Sequence, residues 1–309
     1  MKRIRQILVF LTLFVIVCES VCRLFVNPVY ITHDELKGFR GATGDISQIK
    51  GLKIALLGDS FTYGSKVEDN ETISFYLTDF LKKKLKREDI FTDNFGIPGT
   101  SSIEHYYIFT RHVAGSDYDF VVLNFFIDDF TPYYYNNSIL NPYIYCRDFE
   151  KGPETLMYYL NHLKSVELSM VYIDLLLTYR RAGAPLTPVS YMLQKMREKD
   201  SLRFRCAGGY LQEMGRKIRE RGKKGIFLLI PSLTLYDYQN PYPEEIADYE
   251  TYVMLVAKKS GFEVIDSLTE LRDLLDQRFL VKNDIHYNGE GYRFIAGLIS
   301  DRITEMLKR

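Results

Sequence analysis

The chain has 309 residues, 46% hydrophobic and 26% charged, which is ample material for a buried core and unlike the polar, charge-biased make-up of a disordered segment. Its 40 basic residues balance its 40 acidic ones, so no net field marks it as a nucleic-acid binder. No Cys-x-x-Cys, His-x-x-x-His or G-x-G-x-x-G pattern occurs, so neither a metal nor a nucleotide cofactor is expected.

At the N-terminus, Lys2, Arg3 and Arg5 precede Ile7 to Cys18, which is apolar apart from Thr12, and apolar character resumes at Val21, Cys22, Leu24, Phe25 and Val26. As a helix, residues 7–26 reach about 30 Å, enough to cross a bilayer. Glu19 and Arg23, four apart, can pair on one face. The basic flank, residues 1–6, is expected in the cytoplasm and everything after Asn27 outside. The rival is a cleaved signal segment, since Ile7 to Cys18 alone has the length of its apolar region, but no Ala-x-Ala site follows. Residues 27–50 are mixed and aperiodic, a linker or a strap over the domain that begins at Gly51.

From there, strands alternate with amphipathic runs. The periodicity predicts strand Lys53–Leu57, helix Thr72–Arg87, strand Ile90–Asn94, helix Ser102–Ala114 and strand Asp119–Phe126. After an insertion it predicts helix Leu211–Arg221, strand Gly225–Ile230, helix Glu244–Ser260, strand Glu263–Asp266 and a terminal helix from Tyr292. Such alternation means a parallel five-stranded sheet with helices on both faces, a three-layer flavodoxin-like α/β domain over 51–309. The basic run Lys82–Arg87 falls on an amphipathic helix and reads as its solvated face. The insertion, 131–205, opens with Tyr133, Tyr134 and Tyr135 and carries Leu156, Tyr159, Leu160, Leu163 and Val166 at helical spacing. It is core, a lid or sugar-stacking surface, or an interfacial helix. Cys146 and Cys206 can pair in an oxidising compartment, though spacing does not fix connectivity.

Two features carry chemistry. Gly58-Asp59-Ser60-Phe61-Thr62 turns the first strand into a helix at the sheet's carboxyl edge, where ligands collect. Ser60 is either a helix N-cap or a nucleophile whose N–H faces developing negative charge. Of the five histidines, only His286 has a carboxylate, Asp284, two residues before it. In an extended loop, residues two apart point the same way, so Asp284 can orient the ring and stabilise its imidazolium. The alternative is a loop histidine satisfied by its neighbour.

Together these blocks resemble the SGNH (GDSL) hydrolase family over roughly 51–130 and 222–309. Gly58 to Thr62 is similar to the nucleophile block. Asn94-Phe95-Gly96-Ile97-Pro98-Gly99-Thr100 is similar to the second block, and Asp284-Ile285-His286 with Asn288 and Gly291 is similar to the final block in the Asp-x-His form of alginate-acetylating relatives. The resemblance implies Ser60 as nucleophile, His286 as base and acid, Asp284 as its orienter, and the N–H groups of Ser60 and Gly99 as oxyanion donors. It implies no cofactor, and an acyl-ester substrate, which in membrane-anchored relatives is often on envelope polysaccharide. The third block departs: the oxyanion asparagine's place falls on Asp128, and an ionised carboxylate donates no hydrogen bond. Asn124 lies inside the apolar strand and is no easy replacement. The sequence therefore supports a serine esterase or O-acyltransferase held at the outer face of a membrane. Its rival is a catalytically impaired carbohydrate-binding or assembly module. Substrate and oligomeric state are not legible.

Overall fold

In the computed structural model, the described residues are 39–41, 46–127, 129, 202–231, 244–267, 279–282 and 284–309, with 6, 10, 13–14, 16–18 and 20 near the N-terminus. Contacts divide the chain into two units, Met1–Ile31 with Tyr134–Pro185, and Thr32–Tyr133 with Leu186–Arg309. The second carries the sheet. Its elements are β1 (Leu52–Gly58), α1 (Ser60–Tyr63), α2 (Ile73–Leu85), β2 (Ile90–Gly96), α3 (Ser102–Ile108), β3 (Phe120–Phe126), α4 (Leu202–Glu220), β4 (Lys224–Ile230), α5 (Glu244–Lys259), β5 (Glu263–Ile265) and α6 (Gly289–Lys308).

The five strands lie in the order 2-1-3-4-5, every pair parallel, as expected of a flavodoxin-like sheet. Every residue of β1 and β3 is buried, in keeping with apolar runs covered on both faces. The strand order also places the helices. From β1 the chain steps outward to β2, then reverses and moves steadily towards β5. Right-handed crossovers therefore put α2 on one face and α3, α4 and α5 on the other. The contacts agree: α6 returns to pack on α2, while α4 packs on α3 and α5.

Local chemistry starts and stops these helices. Thr72 caps α2, its hydroxyl accepting from Phe75 N–H, and Lys82, Lys83 and Lys84 face the negative end of the helix dipole. Ile73, Leu77 and Leu81 bury one stripe of α2, and Ile295, Ile299 and Ile303 the facing stripe of α6. Asn288 caps α6 by accepting from Gly291 N–H, which starts that helix at Gly289 rather than Tyr292. After Ile108, α3 continues as a π-helical turn over Phe109–Val113. Helix α4 begins at Leu202 rather than Leu211, so residues 202–205 belong to the core helix and not to the insertion. The helix passes through Gly208-Gly209, and Gly208 lies against Val256 of α5.

Part of the segment before the domain behaves as a strap. Phe39 packs edge-on against Phe95 and His112, and Ile46 is 3% exposed. Most of 7–26 lies outside the described residues. Those described there are helical, with Phe10, Leu13, Phe14, Ile16 and Val17 all exposed. Among the described residues no helix is long and apolar enough to cross a membrane. The rest of the insertion, including Cys146, and the side chain of Cys206 lie outside the described residues.

Gly215 of α4 sits where a Cβ would collide with the backbone of Ser260. Gly215→Ala should lower stability by about 1–3 kcal/mol, as overpacking does. A urea midpoint that falls with unchanged slope would show it.

Candidate active site

The site stands at the carboxyl ends of β1 and β2. These strands run in register and end together, Gly58 opposite Gly96. A Cβ on Gly58 would strike the Thr62 side chain and Asn124 O, and one on Gly96 would strike the backbone of Thr62 and Tyr63. Glycine at both positions lets the single turn of α1 sit directly on the strand ends.

Asp59, not Ser60, is the N-cap of that turn: its Oδ1 accepts from Phe61 N–H at 2.9 Å. The hydroxyl of Ser60 is therefore left for another partner. Polar groups beneath the turn fix it. Asn94 Nδ2 donates to Thr62 O (2.8 Å) while its Oδ1 accepts from Gly96 N–H (2.9 Å). Asn124 is fully buried and donates to Thr62 Oγ1 (3.1 Å), so it braces the turn from below.

His286 arrives from the other end of the chain. Its Nε2 is 2.8 Å from Ser60 Oγ, a contact across 226 positions, and its Nδ1 is 2.5 Å from Asp284 Oδ1. Because an ionised carboxylate only accepts, Nδ1 carries the proton and Nε2 is left to accept from the serine hydroxyl. Asp284 and His286 are not in extended backbone, as their spacing suggested. Asp284 Oδ1 also accepts the backbone N–H of His286 (3.0 Å), which makes a side-chain-closed turn, and Asp284 N–H donates to Val281 O (3.0 Å). One carboxylate oxygen thus holds both the fold of the loop and the ring. The loop rests on Tyr287, buried and donating to Pro231 O (2.7 Å), and His286 packs against Phe61, which stacks on Phe126.

Burial pushes the Asp284 carboxyl up, but the His286 backbone N–H, the His286 ring and Lys66, 3.7 Å away, outweigh it and hold the group below the usual carboxylate range. Burial, then the charges of Asp59 and Asp284, push the Tyr292 phenol upward, so it stays neutral.

Gly99 has φ +75° in the turn after β2, beside the end of β1. Among the described residues, no hydrogen bond uses the N–H of Gly99 or of Ser60. The Gly99 turn is held from behind: Thr100 Oγ1 donates to Ile97 O (2.7 Å), and Ile97 N–H donates to Gly58 O (3.1 Å). His105, fully buried and with its pKa lowered to about 3 by that burial, places Nε2 3.1 Å from Thr100 Oγ1. Asp128 lies outside the described residues. Its neighbour Asp129 is 2% exposed and folds back, Oδ2 accepting from Phe126 N–H (2.8 Å).

The model of the GDSL-like Lipase/Acylhydrolase family matches residues 56–294. The chain belongs to this family. Three solved structures with a similar fold can be set beside this family member. An α/β hydrolase enzyme from the metagenome of Lake Arreo, Spain, is 16% identical, with 85% of this chain and 96% of that one covered and a TM-score of 0.47. An acetyl xylan esterase is 15% identical, covering 82% and 100%, TM-score 0.46. The lipase/acylhydrolase from Enterococcus faecalis is 18% identical, covering 83% and 97%, TM-score 0.44. A comparison with curated proteins gave no match.

Several features of this family member's site escaped the sequence reading: Lys66 beside Asp284, and the bracing of Thr62 by Asn94 and Asn124. No pattern of spacing signals these contacts. Asn94→Ala would leave Gly96 N–H and Thr62 O unpaired and buried, and should cost about 2 kcal/mol or more. Thermal and urea unfolding of the variant would measure the loss.

Proposed function

We propose that this family member is a serine acyl-ester hydrolase or O-acyltransferase, anchored by residues 7–26 and working outside the cytoplasm. The observation that carries the chemistry is the chain of two contacts from Ser60 Oγ through His286 to Asp284. Ser60 Oγ attacks the acyl carbonyl carbon as His286 Nε2 takes its proton, and Asp284 stabilises the imidazolium. The tetrahedral oxyanion is received by the N–H groups of Ser60 and Gly99, preset donors of the kind that stabilise such charge. Collapse breaks the ester bond, and His286 returns the proton to the leaving alkoxide. The acyl-serine then passes to an acceptor that His286 deprotonates in turn. Water gives a carboxylic acid, and a sugar hydroxyl gives a new ester. Asp128 stands, by resemblance, where a third donor is usual, and its charge would slow both steps.

For the substrate we propose acyl or acetyl esters of an envelope polysaccharide. The outward topology and the Asp-x-His form of the last block support this. Anchoring is supported by the basic flank, by the length of the apolar run, and by the exposed apolar side chains of its described helical positions.

A fluorophosphonate probe should label the parent at Ser60 in a one-to-one ratio, while Ser60→Ala and His286→Ala should each lose nearly all acetyl-ester hydrolysis, since nucleophile and base act as one unit. Substantial activity in Ser60→Ala would remove the nucleophile assignment.

A reporter fused after Arg309 should be active only outside the cytoplasm, and intact protein should stay in membranes through an alkaline carbonate wash. A shortened soluble chain beginning near Ser20 would instead show a cleaved signal.

A further inference from the structure

The loop that follows α1 is tied down on both sides of one residue. Arg40 donates from Nη1 to Gly64 O (2.7 Å) and Tyr63 O (3.2 Å), from Nη2 to Val67 O (2.9 Å), and from Nε to Asp69 Oδ1 (2.7 Å). Its guanidinium also lies over the Tyr63 ring, 5.1 Å from the centre. From α6, Tyr292 donates its hydroxyl to Ser65 O at 3.4 Å. Lys66 stands among these held carbonyls with φ +71°, in the left-handed region where a Cβ crowds the backbone. Backbone strain of this kind persists where the surroundings over-determine it, and it clusters at functional sites.

The strained residue is the one that reaches the triad. Lys66 Nζ is 3.7 Å from Asp284 Oδ2, whereas Oδ1 takes both N–H groups of His286. The two carboxylate oxygens thus have separate tasks. The Lys66 side chain is 57% exposed, and an exposed ion pair adds little to stability. A strained backbone kept for so weak a pair is explained by orientation rather than by stability.

We propose that Lys66 is a positioning residue of the triad: its ammonium, presented by the loop that Arg40 and Tyr292 hold, fixes the outer oxygen of Asp284 and so the plane in which the inner oxygen meets His286. The proposal rests on the reading of Ser60 as nucleophile. Other groups near Asp284 are His286 on its own loop, the neutral phenol of Tyr292 from α6, and Asp59 at the head of α1, whose charge reaches Tyr292 as that of Asp284 does. Arg40 is engaged with backbone carbonyls and Asp69. Among the described residues, Lys66 is therefore the cation that acts on Asp284. Its charge favours the ionised carboxylate.

The test measures kcat, KM and Tm for the full chain on an uncharged acetyl ester at neutral pH. Lys66→Gly relieves the backbone and removes the ammonium. Its Tm should be equal or higher, its kcat lower by about fivefold or more as the reacting groups lose alignment, and its KM within about twofold. Lys66→Arg should restore most of kcat. Lys86→Gly, at the other non-glycine left-handed position among the described residues (φ +54°, at the end of α2), supplies the same backbone relief and should keep the parental rate. Parental kcat in Lys66→Gly, no recovery in Lys66→Arg, or an equal loss in Lys86→Gly would each overturn the proposal. With Ser60→Ala inactive, such a result removes only the role of Lys66. With Ser60→Ala active, the reading beneath it falls as well.

Discussion

The register of β1 against β2 is the constraint on which the candidate site depends. Both strands end in a glycine at the same level, Gly58 beside Gly96. A parallel pair ending together makes a flat platform, and the missing Cβ atoms let one turn of helix rest on it without a spacer. A slip of one residue would turn every buried side chain of β1 to the other face and raise a side chain into that platform. The position of Ser60 is in this sense set by the sheet's hydrogen-bond ladder before any residue of the site is considered.

Beneath the platform is a small polar network in an otherwise apolar interior. Asn94, Thr62 and Asn124 meet there, and Asn124 Oδ1 has no partner among the described residues. An apolar floor of the same shape would avoid the desolvation cost of these groups, but it would not select one height and rotation for α1. Directed hydrogen bonds in a low-dielectric surrounding do select one. Thr100 and His105 stand in the same relation to the Gly99 turn. His105 remains neutral there, so the turn is held by hydrogen bonding rather than by a charge that would disturb the neighbouring site.

Much of this was legible in the sequence. Strand and helix periods fixed the layer order, because apolar runs of strand length alternate with amphipathic runs and right-handed crossovers leave little freedom. Ser60, Asp284 and His286 were legible because a polar, small-residue corner after a strand and a carboxylate two residues before a histidine are local patterns. What escaped was set by tertiary contact. Helix α4 starts before the expected Leu211, since packing against α5 carries it through Gly208-Gly209. The Asp284–His286 turn looked extended because spacing cannot distinguish a strand from a side-chain-closed turn. Arg40 lies in an aperiodic stretch whose pattern names no partner. Asn124 is polar within an apolar strand, and only the position of Thr62 above it gives that residue a role.

The distance along the chain between Ser60 and His286 also bears on how the protein matures. The nucleophile corner is built from local contacts and from the first two strands, whereas its partner lies just before the last helix. Loop-closure entropy and the slow pairing of parallel strands oppose the meeting of such remote segments. Docking of α6 on α2 joins the two halves of the site. A nascent chain carries that serine with no base beside it. The contacts of Ser60 with His286 and of His286 with Asp284 exist only once the segment before α6 is in place, so the fold's own topology ties completion of the triad to the docking of that helix.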